Sequence, residues 1–308
     1  MPRSPPVLLA AALLLAACSR SGADDDRAQS ARVKVFPASS ASAGAPLLEA
    51  QARHVAGLRQ KIARLRGNYT VVLDPPFVIV GDGGESAVRS VAATTVRWTR
   101  DKLKQDFFAE DPTSTVDVWL FKDAGSYQAH VRALTAKKPT TPYGYYSPED
   151  AALYMNIATG GGTLVHELVH PFVRANFPGC PPWLDEGLGS LYEQAGERDG
   201  HIVGFTNWRL RGLQQALRDG RVPPFAALTA MDAQAFYGAG RGVHYAAARY
   251  LLYYLQERGL LVRYYRAAHE GHAEDPTGYQ TLVRTLGEED MGAFERRWAE
   301  LVLGLSFP

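Results

Sequence analysis

The spacing of apolar residues changes character halfway along the chain. Residues 69–73 (YTVVL) and 77–81 (FVIVG) are β-branched, aromatic runs on either side of Asp74-Pro75-Pro76, the composition of paired strands. Residues 85–108 carry helical spacing. In 114–121 (STVDVWLF), Val116, Val118 and Leu120 alternate with Thr115, Asp117 and Trp119, the two-residue period of a strand. Residues 123–134 (DAGSYQAHVRAL) read as a short helix. Residues 143–158 (YGYYSPEDAALYMNIA) read as two short strands joined by a turn at Ser147-Pro148-Glu149-Asp150. Upstream, Leu48, Ala52, Val55, Leu58, Ile62 and Leu65 predict a helix within 47–67 that lies on the domain. From Thr163 onward the period is helical: 163–175, 182–195, 206–219, 242–258, 260–269, 277–286 and 289–303, with Gly220 and Gly259 at stops. The pattern predicts an α+β fold. A small mixed sheet with helices occupies 47–159, including an edge strand, and a mostly helical part occupies 160–308.

Composition changes this picture mainly at the N-terminus. The chain has 308 residues, 46% of them hydrophobic, enough for one large or two small cores. Its net charge of +1 offers no broad field for nucleic acid, and no obligate protein partner follows. Residues 7–17 (VLLAAALLLAA) form an apolar run too short to span a bilayer but suited to a signal peptide. It ends in LAAC, which resembles a bacterial lipobox. That resemblance implies cleavage after residue 17 and a lipid anchor on Cys18. With Ser19 rather than Asp next, it also implies sorting to the outer membrane, facing the periplasm. Residues 18–46 are small, polar and rich in Pro and Gly, and are predicted to be a flexible tether. Within them the DDD run at 24–26 reads as a solvated patch. GDGG, 81–84, lacks the lysine and spacing of a phosphate loop and reads as a turn. The second of the two cysteines, Cys180, is left without a partner, either buried beside Pro181 or slowly reactive.

The candidate chemistry lies in TLVHELVHPF, 163–172. Residues four apart on an α-helix differ by roughly 40° around its axis, so His166 and His170 point the same way. Two imidazoles so placed suit one zinc ion. Glu167, roughly 100° round, misses the metal but reaches a water there. Pro171 lacks an N–H and crowds the carbonyl of Glu167, which predicts a kink or loosening after His170. Sixteen residues past His170 comes Glu186, in WLDEGLG, after a loop short enough to fold the second helix back along the first. Gly187 and Gly189 allow close helix contact. Asp185, Ser190 and Glu193 are candidates to orient the histidines.

HELVH followed by WLDEGL resembles the gluzincin metallopeptidases, closest to the peptidase-MA-like group of bacterial secreted proteins. The resemblance covers roughly 140–258 well and FERRWAEL more loosely. It implies a zincin-like catalytic half, Zn²⁺ on His166, His170 and Glu186, and Glu167 as the general base on a zinc-bound water. It also implies a Tyr or His further along that stabilises the oxyanion. His244 and Tyr245 stand 58 and 59 residues beyond Glu186, and of the two Tyr245 is preferred. By the same resemblance a strand around 151–156 is the edge that holds an extended peptide. The GxMEN-type motif of gluzincin aminopeptidases is absent upstream, so the expectation is an endopeptidase acting on peptides or proteins. The other readings are a zinc-binding or folding-assisting lipoprotein without turnover, and an envelope scaffold whose helices simply pack. A second metal site at His269 and His272 is a weaker expectation.

Overall fold

The computed structural model describes residues 31–37, 45–139 and 141–307. The signal peptide, Cys18, the DDD run and most of the tether lie outside the described residues. In chain order the elements begin β1 (Arg32–Phe36), α1 (Ala45–Ile62), β2 (Asn68–Asp74), β3 (Phe77–Gly81) and α2 (Glu85–Val91). A π-helical segment, Ala92–Arg97, joins α2 to α3 (Trp98–Asp106), so the single helix expected over 85–108 carries one wide turn. Then follow β4 (Val116–Phe121), α4 (Ala124–Thr135), β5 (Gly144–Ser147) and β6 (Ala152–Asn156). The helical part comprises α5 (Gly162–Asn176), α6 (Pro182–Leu191), a hairpin β7 (Ala195–Arg198) and β8 (His201–Gly204), α7 (Arg209–Arg218), α8 (Phe225–Thr229), α9 (Ala233–Phe236), α10 (Arg241–Glu257), α11 (Leu261–Glu270), α12 (Tyr279–Leu286) and α13 (Met291–Gly304).

The six-stranded sheet runs β1-β2-β3-β4-β6-β5 and is mixed, with β2/β3 and β5/β6 antiparallel. This is the α+β architecture of the sequence analysis. Both faces are covered. On one, Leu58 and Ile62 of α1 and Tyr127 and Val131 of α4 pack on Val78, Val80, Trp119 and Phe121. On the other, Ile79, Val118, Leu120, Leu153 and Met155 join the core of the helical part. Hence β4 is buried at every position rather than on alternate ones. Asp117 is tolerated there because α1 supplies His54, 2.5 Å from Oδ1, and Lys61, 3.2 Å from Oδ2.

Four expectations need correction. Residues 32–36 are not tether: RVKVF pairs in parallel with β2, its Val33 and Val35 packing beside the outer core. A five-residue alternating run is lost when composition is averaged over 18–46. Second, the edge is not the strand around 151–156. β6 is flanked by β4 and β5, and β5 is the edge, because the Ser147–Asp150 turn folds the earlier strand to the outside. Third, the helix continues through Pro171 to Asn176 instead of loosening. Buried Phe172 and Val173 anchor the last turn in the core, and packing outweighs one missing bond. Fourth, the predicted helix over 182–195 stops at Leu191, and 195–204 form a hairpin with Asp199 and Gly200 both at positive φ.

Candidate metal centre

Two helices carry the site, and glycines set their spacing. A Cβ at Gly189 of α6 would sit 3.2 Å from ring atoms of His166 on α5. One at Gly162 would collide with the backbone carbonyl of Glu193, 2.2 Å away. Gly187 faces the other way, onto Ala248 and Leu252 of α10. Thus α6 lies between α5 and α10, and its Glu186 is brought to the histidines.

His166, His170 and Glu186 are all buried, with one ligand atom from each inside a 4.8 Å sphere of mutual distances. Oε2 of Glu186 is 3.1 Å from Nε2 of His166 and 3.8 Å from Nε2 of His170. Two donors each about 2.1 Å from a tetrahedral zinc lie roughly 3.4 Å apart, so these separations bracket what one ion requires. The donor set also fits: two imidazole nitrogens and one carboxylate are the three-ligand set that leaves a position open. The group can therefore hold a metal ion.

The outer nitrogens have carboxylates too. Nδ1 of His170 is 2.8 Å from Oδ1 of Asp185, a bond that turns Nε2 inward as an acceptor. Nδ1 of His166 lies 3.3 Å from Oε1 of Glu193, close but not aligned for a hydrogen bond, and has no other partner among the described residues. Glu193 is itself gripped by Arg209, whose Nε and Nη2 donate at 2.7 and 2.6 Å, and by the Asn207 amide at 3.0 Å. Without a metal, burial would depress both histidines, but the carboxylates outweigh it. His170 is pushed up to about 9, and His166 well above its ordinary value. Burial acts against ionised Glu186 as well, yet the histidines and a tyrosine hold it down to about 2. Four carboxylates, one of them paired with Arg209, stand around the two imidazoles, a surplus of acceptors that a divalent cation could meet.

Glu167 stands apart from the ligands, its Oε2 3.9 Å from Nε2 of His170. The backbone N–H of Tyr146, on the outward side of edge strand β5, donates to that same oxygen at 2.9 Å. Burial, more than any charge, raises the Glu167 carboxyl above its usual range.

Of the two residues weighed as oxyanion donors, only Tyr245 faces the centre. Its ring stacks on His166 with centroids 6.4 Å apart at 16°. His244 is turned away, its Nδ1 2.9 Å from the carbonyl of Phe236. Sequence reasoning missed Tyr237, whose hydroxyl donates to Oε1 of Glu186 at 2.8 Å while the residue as a whole is 42% exposed. It also missed Arg209 and Asn207. None of these sits at a recognisable spacing, and the hairpin that precedes Asn207 and Arg209 fell almost wholly in the unassigned gap between two predicted helices. Ser190 is buried with its hydroxyl unpartnered among the described residues, so of the three candidates to orient the histidines only Asp185 bonds one, while Glu193 stands 3.3 Å from the other. His269 and His272 instead pack their rings against Phe177, at 5.0 and 5.1 Å, and converge with no third ligand among the described residues. Cys180 is half-buried, and burial pushes its thiol well above the ordinary range. No known family model and no curated protein matches the chain.

Proposed function

We propose that the protein is a zinc-dependent endopeptidase of the gluzincin type, with zinc on His166, His170 and Glu186. The observation that carries this is the separation of roles in one cluster. Three donor atoms converge on a point, and a fourth side chain, the carboxylate of Glu167, sits beside them held by an edge-strand amide. A zinc ion there supplies Lewis acidity and brings the pKa of water toward neutrality. Glu167 takes a proton from the attacking water as the water oxygen bonds to the peptide carbonyl carbon, and passes it to the nitrogen as the C–N bond breaks. Its raised proton affinity suits both halves of that exchange. The Tyr245 ring against His166 and the Tyr237 hydroxyl on Glu186 support these two tyrosines as the donors to the carbonyl oxygen as it gains charge. Beside Glu167, strand β5 has no further strand on its outer side among the described residues, which supports an extended peptide as substrate.

We place the enzyme in the bacterial envelope, anchored through Cys18 to the outer membrane. That part of the proposal rests on the lipobox resemblance. No helix among the described residues is long and apolar enough to cross a membrane. The test is metal content and cleavage of a peptide library by the purified chain. One equivalent of zinc with cleavage abolished by chelator and by Glu167→Gln is the expected result. Zinc retained with no Glu167-dependent cleavage would establish the non-enzymatic zinc lipoprotein instead, and absence of zinc would sink both.

A further inference from the structure

A groove of about 530 Å³ opens between α7 and the start of α10, walled by Trp208, Arg209, Gly240, Arg241 and Val243. Arg209, which lines it, also touches Tyr245 and Glu193 beside the metal centre. Arg209 lies in one wall, its guanidinium 4.2 Å over the Trp208 ring and 5.2 Å over the Tyr245 ring. Arg241 lies in the other, one helical turn before Tyr245 and hence on the same side of α10. Gly238, the residue after Tyr237, also lines it.

The lining carries two arginines and no carboxylate. The charge of Arg209 is already met by the two-pronged bond to Glu193. The guanidinium of Arg241 makes no hydrogen bond or ion pair among the described residues. Trp208 is 61% exposed, a large aromatic face left in water beside it. Added Cβ atoms at Gly212 and Gly242 would meet nothing within 4 Å, so the floor is clear of side chains. A planar cation and an aromatic plate over an open floor suit a carboxylate on a short aliphatic stem.

We propose that this groove is a substrate subsite for a peptide carboxylate, paired by Arg241 with Trp208 covering the adjoining methylenes. This rests on the peptidase reading and names its substrate class: peptides bearing Asp or Glu near the cut, or a chain end whose terminal carboxylate reaches the same arginine. The test is equilibrium binding to the zinc-loaded full chain carrying Glu167→Gln, read by fluorescence anisotropy. The probes are amidated, labelled Ala/Gly octapeptides with a single Glu, the same set with Gln, and a Glu-free set with free or amidated ends. The expected result is at least about tenfold tighter binding of the Glu peptide than the Gln peptide, or of the free-ended over the amidated peptide. Which pair differs identifies the source of the carboxylate. Arg241→Gln should erase the ratio and Arg241→Lys keep part of it. Equal affinities, a ratio that survives Arg241→Gln, or no binding up to about 1 mM would overturn the subsite. Cleavage by wild type separates the two claims. Peptides cut without charge preference sink only the subsite. Acidic peptides bound through Arg241 but never cut sink only the peptidase.

Discussion

Two histidine–carboxylate clusters of the protein differ in whether their polar atoms close on one another. In the first, on the outer face of the sheet, Ser126 of α4 donates to Asp82 and meets Nδ1 of His130 at 2.9 Å. The Tyr69 hydroxyl reaches that nitrogen at 3.2 Å, and the N–H of Lys122 takes the other oxygen of Asp82. One carboxylate serves one histidine, hydroxyls bridge them, and burial lowers the His130 pKa. In the second, four carboxylates surround His166 and His170, both imidazoles are raised, and one outer nitrogen lacks an aligned partner. A closed network spends its donors on itself and stabilises. An open one, with acceptors in excess, is a place for a cation.

Substitutions break that comparison in graded ways. The largest expected effect is on turnover: Glu167→Gln should cut kcat by about 10²–10⁴ at unchanged zinc content, measured with a quenched peptide and by metal analysis. A variant that cuts as well as wild type would remove Glu167 from the mechanism. Next is Glu186→Ala, expected to weaken zinc, in chelator competition, by more than the roughly 10–100-fold that loss of an outer partner costs. Asp185→Ala should fall within that 10–100-fold range, because it frees the His170 ring without removing a donor. Chelator should lower the melting temperature of wild type, by about 2.7 kcal/mol of stability if zinc had been present at about 100 times its Kd. The same chelator should leave a His166→Ala variant unmoved. The smallest effect sharpens the contrast. His130→Ala should cost about 1–3 kcal/mol in denaturant unfolding, from the polar partners it strands, and change zinc affinity not at all. Loss of zinc from that variant would mean the clusters are coupled and the comparison false.

Much of the fold was legible because local period survives folding. The strands at 69–73 and 77–81, the Ser147–Asp150 turn and the long helices α5 and α10 stand where their apolar spacing puts them. What was illegible depended on neighbours. The alternation over 114–121 marked a strand but not that α1 and α4 bury its second face. The Asp199-Gly200 pair was a hairpin signal overlooked beside strong helical runs. Strand order, which makes β5 the edge, has no local signature at all.

The sequence by itself determined the donors. An i, i+4 helical pair aligns His166 with His170 wherever that helix lies, and Glu186 sits one short loop away. Only the tertiary structure decided what surrounds them. Packing of α10 on α6 selects Tyr245 over His244, the loop before α10 brings Tyr237 onto Glu186, and the hairpin delivers Arg209 to Glu193. The edge strand sets an amide on Glu167. The physical reason is reach. Helix periodicity fixes directions over one or two turns. Partners from residues 146, 193, 209, 237 and 245 are brought together only by burying apolar faces that have no particular spacing along the chain.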